Sequence, residues 1–192
     1  MCNQSVIELI DVLRANQTLG DEAFTRLYRE RSEETDAYLY AQADLVRKEV
    51  YGNKVYLRGL IEISNICKND CLYCGIRRSN SHAVRYRLSL EDLLACCEHG
   101  YGLGFRTFVM QGGEDAFFTD AVLEEWVGEV HRRFPDCAIT LSLGERSRES
   151  YERLFNAGAE RYLLRHETST QSHYEKLHPP EMRLAHRLHC LA

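Results

Sequence analysis

The sequence predicts an α/β fold, and three observations predict it. A helical stretch of some fifty residues gives way near residue 55 to strand and helix in alternation, four times over. Each strand candidate is a short apolar run that ends abruptly in polar or glycine-rich residues. Each helix candidate carries apolar residues three and four apart. Four parallel βα units make either an open doubly wound sheet or half of a (β/α)8 barrel. A complete barrel takes about 250 residues, and the chain has 192.

The elements follow in order, in two domains, residues 1–54 and 55–192. In the first, Val6, Leu9, Ile10 and Leu13 recur at helical spacing, as do Phe24, Leu27 and Tyr28, then Leu39, Ala43 and Val46. Asp21 reads as the N-cap of the second helix after a break at residues 18–20. This segment reads as a helical cap and carries no residue set with chemistry. Residues 55–63 are the first strand, followed by a cysteine-rich loop. Ser89 caps a helix with Asp92 in the capping-box position, and Leu90, Leu93, Leu94 and Cys97 form its apolar face. Residues 105–110 are the second strand. Val122, Leu123, Trp126, Val127 and Val130 mark the next helix. Residues 138–143 are the third strand, 149–155 a short helix and 161–164 the fourth strand. Helices over 171–177 and from 185 onward close the chain. The last pattern carries no C-cap signal, so truncation is expected, together with inactivity of these residues on their own.

Hydrophobic residues at 44% and charged residues at 28% are ordinary for a globular protein. A net charge of -5 argues against nucleic acid or an anionic membrane as partner. No apolar run is long enough to span a bilayer, and the first residues do not form a secretory signal, which points to the cytoplasm. In that reducing compartment the eight cysteines are expected as thiols or metal ligands, not as a disulfide scaffold. Cys2, Cys96, Cys97, Cys137 and Cys190 are scattered and read as small apolar fillers.

Cys67, Cys71 and Cys74 are different. Their C-x3-C-x2-C spacing directly after the first strand lets three thiolates hold three irons of a cubane and leaves the fourth without a protein ligand. The competing reading is zinc, with His82, His99 or a remote cysteine as fourth ligand. Structural zinc favours two close ligand pairs, and no second pair is present. The second strand ends in Gln111, Gly112, Gly113 and Glu114, where glycines permit close backbone approach and a carboxylate can meet an ammonium group. Thr140, Ser142, Gly144 and Glu145 follow on the third strand, and Arg165 and Glu167 on the fourth. On an extended chain Arg165 and Glu167 face the same side, as a structural ion pair or as ligand contacts. All four polar clusters fall at the C-terminal strand ends, where barrel enzymes place active sites. His131, His173, His178, His186 and His189 read as packing or surface residues, and alternation turns His166 away from the mouth. Arg77, Arg78, Arg85 and Arg87 are expected to shape the cysteine loop.

With these motifs the chain resembles the radical S-adenosylmethionine (SAM) superfamily. Within it, residues 55–191 resemble the HydE group of [FeFe] hydrogenase maturases, and residues 5–54 do so more loosely. The resemblance is carried by Glu62 to Cys67, Cys71 to Arg78, Arg85 to Ser89, Leu141 to Glu145 and Arg161 to Thr168. It implies a TIM-type (β/α)8 barrel of which these are the first four units. It also implies a [4Fe–4S] cluster on Cys67, Cys71 and Cys74, and SAM as cosubstrate. Tyr73 would lie near its adenine, Gln111, Gly112, Gly113 and Glu114 at its amino group, and Arg187 at its carboxylate. Ser142 and Glu167 would complete the SAM site, with Glu167 toward the ribose hydroxyls. Arg165 and Thr140 would meet substrate. Gly112 stands where HydE relatives carry serine. The implied activity is cleavage of SAM to a 5′-deoxyadenosyl radical in H-cluster maturation, on a small organometallic substrate, with partner maturases and an electron donor. Biotin-synthase-like and methylornithine-synthase-like enzymes are the alternatives within the class. An inactive fragment or a metal-binding module is the alternative outside it.

Overall fold

Val6, Leu9, Ile10 and Leu13 fall on one side of a helix, α1 (Val6–Asn16), whose start is fixed by a reciprocal capping box between Ser5 and Glu8. This is the first element of a computed structural model that describes residues 5–192; Cys2 lies outside the described residues. The chain divides after Tyr56 into two units. The first adds α2 (Asp21–Arg29) and α3 (Glu33–Tyr51), with Leu9, Ile10 and Leu27 as its small core. Asp21 is not the N-cap of α2. Gly20 holds that position in extended conformation, and Asp21 and Glu22 occupy the first turn, where negative charge suits the helix dipole. Of the predicted face Phe24, Leu27 and Tyr28, only Leu27 is buried, because three short helices leave one buried seam.

The second unit begins at Leu57. It contains β1 (Gly59–Ser64), α4 (Leu90–Gly102), β2 (Thr107–Gly112), α5 (Asp120–Arg133), β3 (Ala138–Ser142), α6 (Arg148–Asn156), β4 (Arg161–Tyr162), α7 (Gln171–Leu177) and α8 (Leu184–His189). The strands are parallel and lie in the order β1-β2-β3-β4. That sequential order separates the two architectures left open above. A doubly wound sheet reverses its strand order at a switch point, whereas a barrel adds each strand beside the last.

All four strands differ from expectation at one end or both, β3 only by ending at Ser142, one residue early. β1 starts at Gly59 instead of residue 55, since pairing begins only where Gly59 meets Phe108, and Val55, Tyr56 and Leu57 are exposed. β2 runs from Thr107 to Gly112 because Thr107 is the first residue with a partner, Ala138, on β3. β4 has only two paired residues, Arg161 and Tyr162. Among the scattered cysteines Cys97 and Cys137 are buried, as fillers should be, but Cys96 is exposed. One residue from Cys97 is a 100° turn around the helix, which carries Cys96 out of the core.

Alternation sorts the sheet into two faces. Ile61, Ile63, Phe108, Met110, Ile139 and Leu141 pack under α4 and α5, against Leu93, Cys97, Leu123, Trp126, Val127 and Val130. Each such side chain contributes about 1.5–3 kcal/mol on full burial. The other face carries Glu62, Gln111 and Ser142 side by side in register. That row leads to the strand ends where the candidate site lies.

Candidate active site

The cysteine loop between β1 and α4 contains no helix or extended strand, so its backbone groups need partners from elsewhere. Arg85 supplies most of them. Its guanidinium donates to the carbonyls of Asn65 (2.6 Å), Ile76 (2.8 Å), Arg77 (2.7 Å) and Asn80 (3.2 Å), fastening both ends of the loop at once. The Lys68 N–H donates to the Glu114 carbonyl at 3.0 Å and the Leu72 N–H to that of Leu177 at 2.9 Å. Arg87 acts one step further along. It grips the buried carboxylate of Asp115 through two bonds of 2.8 Å, and Ser64 Oγ donates to the same carboxylate at 2.7 Å. The end of β1, the glycine turn after β2 and the segment before α4 are thereby one assembly.

Within it Cys67, Cys71 and Cys74 line a single cavity of about 220 Å³. Burial, and then the proximity of Cys67 and Cys74, push the Cys71 thiol up to about 11. Gln111, Gly112, Gly113 and Glu114 form the adjoining wall, and Tyr73, Ser142, Arg165, Glu167 and Arg187 complete it. Thr140 is the one predicted site residue outside the cavity lining; it is buried within β3, its hydroxyl without a hydrogen-bond partner.

The glycines are used for close approach. A Cβ on Gly113 would stand 2.7 Å from Cys67 Cβ and closer still to the Ile66 carbonyl oxygen. Gly144 has φ +82°, and a Cβ there would run into the Glu114 side chain. Glu114 is thus wedged between the two chain reversals, with Lys68 Nζ at 3.2 Å and an Arg187 nitrogen at 3.8 Å. Arg187 is 7% exposed. Burial works against its charge, but Glu145 above all, then Tyr174 and Glu114, outweigh that and raise its pKa. Its Nε lies 2.7 Å from Glu145 Oε1, and Nη1 donates to the Arg165 carbonyl at 3.1 Å.

The alternation expected from Arg165 to Glu167 does not persist. Glu167 adopts φ +64°, which ends the extended run, and among the described residues no ion pair links it to Arg165. Both still reach the cavity. Glu167 accepts a long hydrogen bond from the Tyr73 hydroxyl at 3.5 Å. His166 is exposed and outside the lining.

Several participants were not singled out from the sequence. Glu62 lines the cavity and accepts from Gln111 Nε2 at 3.2 Å; a lone carboxylate in an apolar strand was the available signal. Asp115 and Lys68 act through contacts that no spacing announces. His178, expected as a packing residue, is indeed buried, but it lies against Tyr73.

Neither histidine weighed as a fourth zinc ligand is near the trio. His82 and His99 are exposed and do not line the cavity. Among the described residues no group of His, Cys, Asp and Glu could hold a single metal ion. A cubane instead distributes its thiolates over separate irons. Beside the trio stand a glycine cradle, a wedged carboxylate and the buried, ion-paired Arg187. A barrel-type sheet with three clustered thiols at its C-terminal mouth defines the class: an α/β protein with a candidate metal centre at the strand ends.

Comparison with known proteins agrees. The family model described as "Radical SAM superfamily" matches residues 61–191, and the chain belongs to that superfamily, whose members are enzymes that use a [4Fe–4S] cluster and SAM. The chain is 41% identical over 153 residues to the [FeFe] hydrogenase maturase subunit HydE of Thermotoga maritima, covering 80% of this chain and 43% of that protein. It is 32% identical over 161 residues to 3-methylornithine synthase of Methanosarcina acetivorans, covering 83% and 45%. Among solved structures, the FeFe-hydrogenase maturase HydG from Carboxydothermus hydrogenoformans superposes with a TM-score of 0.81 at 27% identity, over 97% of this chain and 44% of that one. The chain spans less than half the length of these relatives. No helix among the described residues is long and apolar enough to cross a membrane.

Proposed function

We propose that this chain is the cluster- and SAM-binding part of a HydE-like enzyme of [FeFe] hydrogenase maturation, acting in the cytoplasm. The observation that carries the reading is the convergence of Cys67, Cys71 and Cys74 with Gly113, Glu114 and Arg187 on one cavity. When bound, a reduced [4Fe–4S] cluster supplies the electron that breaks the sulfonium–carbon bond of SAM. The protein's part is placement. Glu114 takes the methionyl ammonium, and Arg187 the methionyl carboxylate. Gly113 lets the turn carrying Glu114 close on the backbone of the cysteine loop. Tyr73 meets the adenine and Glu167 the ribose, while Ser142 and Gln111 border the same space. Arg165 is assigned to the substrate, a small organometallic species handed on among partner maturases, and an external donor delivers the electron; Thr140, buried in β3 outside the lining, is left out of the assignment.

The HydE assignment rests on the 41% identity and on two stretches, Leu141 to Glu145 and Arg161 to Thr168. A methylornithine-synthase-like activity on an organic substrate is the second reading, supported by the 32% identity. The activity is proposed for the protein that contains this chain together with the rest of a barrel. Among the described residues β4 has no strand on its outer edge, and the 192 residues alone are expected not to turn over. The test is hydrogenase activation with the partner maturases supplied, run in parallel with an assay for formation of 3-methylornithine. Activation supports the HydE-like role. Formation of 3-methylornithine without activation replaces it with the second reading.

A further inference from the structure

We propose that His178 and the C-terminal end of α7 are the positioning device for Tyr73, and that through Tyr73 they set the affinity for the adenine half of SAM. The inference rests on the proposed function, which places adenine at Tyr73.

Tyr73 is 51% exposed, and an exposed ring between two cluster ligands has nothing in its own loop to hold it. What it leans on is buried. His178 is 5% exposed and Tyr174 1%. Their rings stack at 3.8 Å and 15°, and the Tyr73 ring meets His178 edge-on at 5.4 Å and 81°. The chain fixes His178 in this place for a local reason. Pro179 follows it, so His178 cannot continue the helix and takes an extended conformation, φ -128° and ψ 150°. That conformation turns the imidazole back along the end of α7 to lie on Tyr174.

The tautomer follows from the neighbours. His178 Nδ1 lies 3.0 Å from the Tyr174 carbonyl, which can only accept, so the neutral ring carries its proton there. Nε2 is left as an acceptor facing the Tyr73 hydroxyl at 3.4 Å. Glu167 Oε1 stands at 3.5 Å on the same hydroxyl, so one proton is shared between two long contacts. The backbone adds a third tie. A helix end leaves carbonyls without intrahelical donors, and that of Leu177 accepts the N–H of Leu72, the residue before Tyr73, at 2.9 Å. Ring, hydroxyl and backbone of the Leu72–Tyr73 pair are all set by one helix end. Neither His178 nor Tyr73 touches Gly113 or Glu114, on the methionyl side; Tyr174 does interact with Arg187, so the test must keep the ring stacked on Tyr174 in place.

That division gives the test. Cluster-loaded protein is titrated anaerobically with SAM and, separately, with L-methionine, following the ligand-dependent change in the reduced-cluster electron paramagnetic resonance (EPR) signal. His178→Phe retains a ring to stack on Tyr174 and removes the acceptor. It is expected to weaken SAM about three- to tenfold, the size of one neutral hydrogen bond, and to leave methionine unchanged. In a Tyr73→Phe background, which keeps the ring and removes the hydroxyl, His178→Phe is expected to add nothing further. Unchanged SAM affinity in His178→Phe overturns the proposal. So does an equal loss for SAM and methionine, because His178 then shapes the loop as a whole. If His178→Phe does not retain iron, Tyr73→Phe alone decides: wild-type SAM affinity there also overturns it. A wild-type protein whose signal ignores SAM defeats the proposed function instead, and the two failures are separate.

Discussion

Replacing Gly113 by alanine adds one methyl group at the closest approach of the glycine turn to the cysteine loop. The new Cβ would lie 2.7 Å from Cys67 Cβ and 2.8 Å from the Ile66 carbonyl carbon. Carbon atoms rest at about 3.5–4.0 Å, so the turn and the loop must separate by about 1 Å. Neither side yields cheaply. The loop is pinned by Arg85 and the turn by Asp115, and the atoms in the way belong to backbone and a Cβ, with no side chain free to rotate aside. Overpacking of this kind costs about 1–3 kcal/mol, equivalent to about 2–12 °C in melting temperature at roughly 2–4 °C per kcal/mol for a chain of this size. Gly128→Ala is the control. It lies within α5 with open space around it and should stabilise by about 0.5–1 kcal/mol. The assay is thermal unfolding of metal-free protein, with iron content after anaerobic reconstitution on the same preparations. Gly113→Ala is expected to lower both melting temperature and iron retention, and Gly128→Ala to lower neither. A Gly113→Ala protein with wild-type melting temperature and full iron content would refute the reasoning that close approach of turn and loop builds the site.

Further outcomes follow from the same contacts. Burial opposes the charge of Asp115, but Arg87, Ser64 and the Phe117 N–H together outweigh it and hold its carboxyl below the usual 3.8. Its contribution to stability is therefore complete above the unfolded pKa and is lost as pH falls through the lower folded value. Asp115→Asn should cost about 2 kcal/mol at neutral pH, the scale of a hydrogen bond to a charged group. Urea unfolding should show that difference shrinking below about pH 4; a difference independent of pH would contradict it. Arg85→Lys keeps the charge but cannot reach four carbonyls with one ammonium. It should speed proteolytic cleavage between residues 65 and 80 and lower iron retention, and wild-type values of both would rule out its role as the loop's fastener.

The four-strand alternation was legible in the sequence because its signals are local: apolar runs of strand length, the capping box at Ser89, and charges breaking out at strand ends. Strand boundaries were less so. Val55 and Tyr56 are as β-prone as Leu60, and only the absence of a partner opposite them leaves them out of β1. The order of strands, and with it the choice between barrel and doubly wound sheet, is a property of pairing that no single segment carries. The site divides the same way. Cys67, Cys71, Cys74 and Gly113 declared themselves by spacing, whereas Lys68, Asp115 and His178 matter through contacts made across the fold. His178 shows the limit well: its neighbours Pro179 and Pro180 announce the end of a helix, but nothing local says that Tyr73 waits there. Glu62 could have been found, since a carboxylate among Leu60, Ile61 and Ile63 has no reason within its own strand.

One measurement addresses the trio and its vacant corner directly. The protein is reconstituted anaerobically with iron and sulfide and reduced, and its EPR spectrum is recorded before and after SAM is added. The expected result is a reduced [4Fe–4S] signal that changes on addition of SAM, disappears when Cys67, Cys71 or Cys74 is replaced by alanine, and survives replacement of Cys96. A protein that takes up zinc in place of a cluster, or whose cluster signal is indifferent to SAM, contradicts the reading at its base.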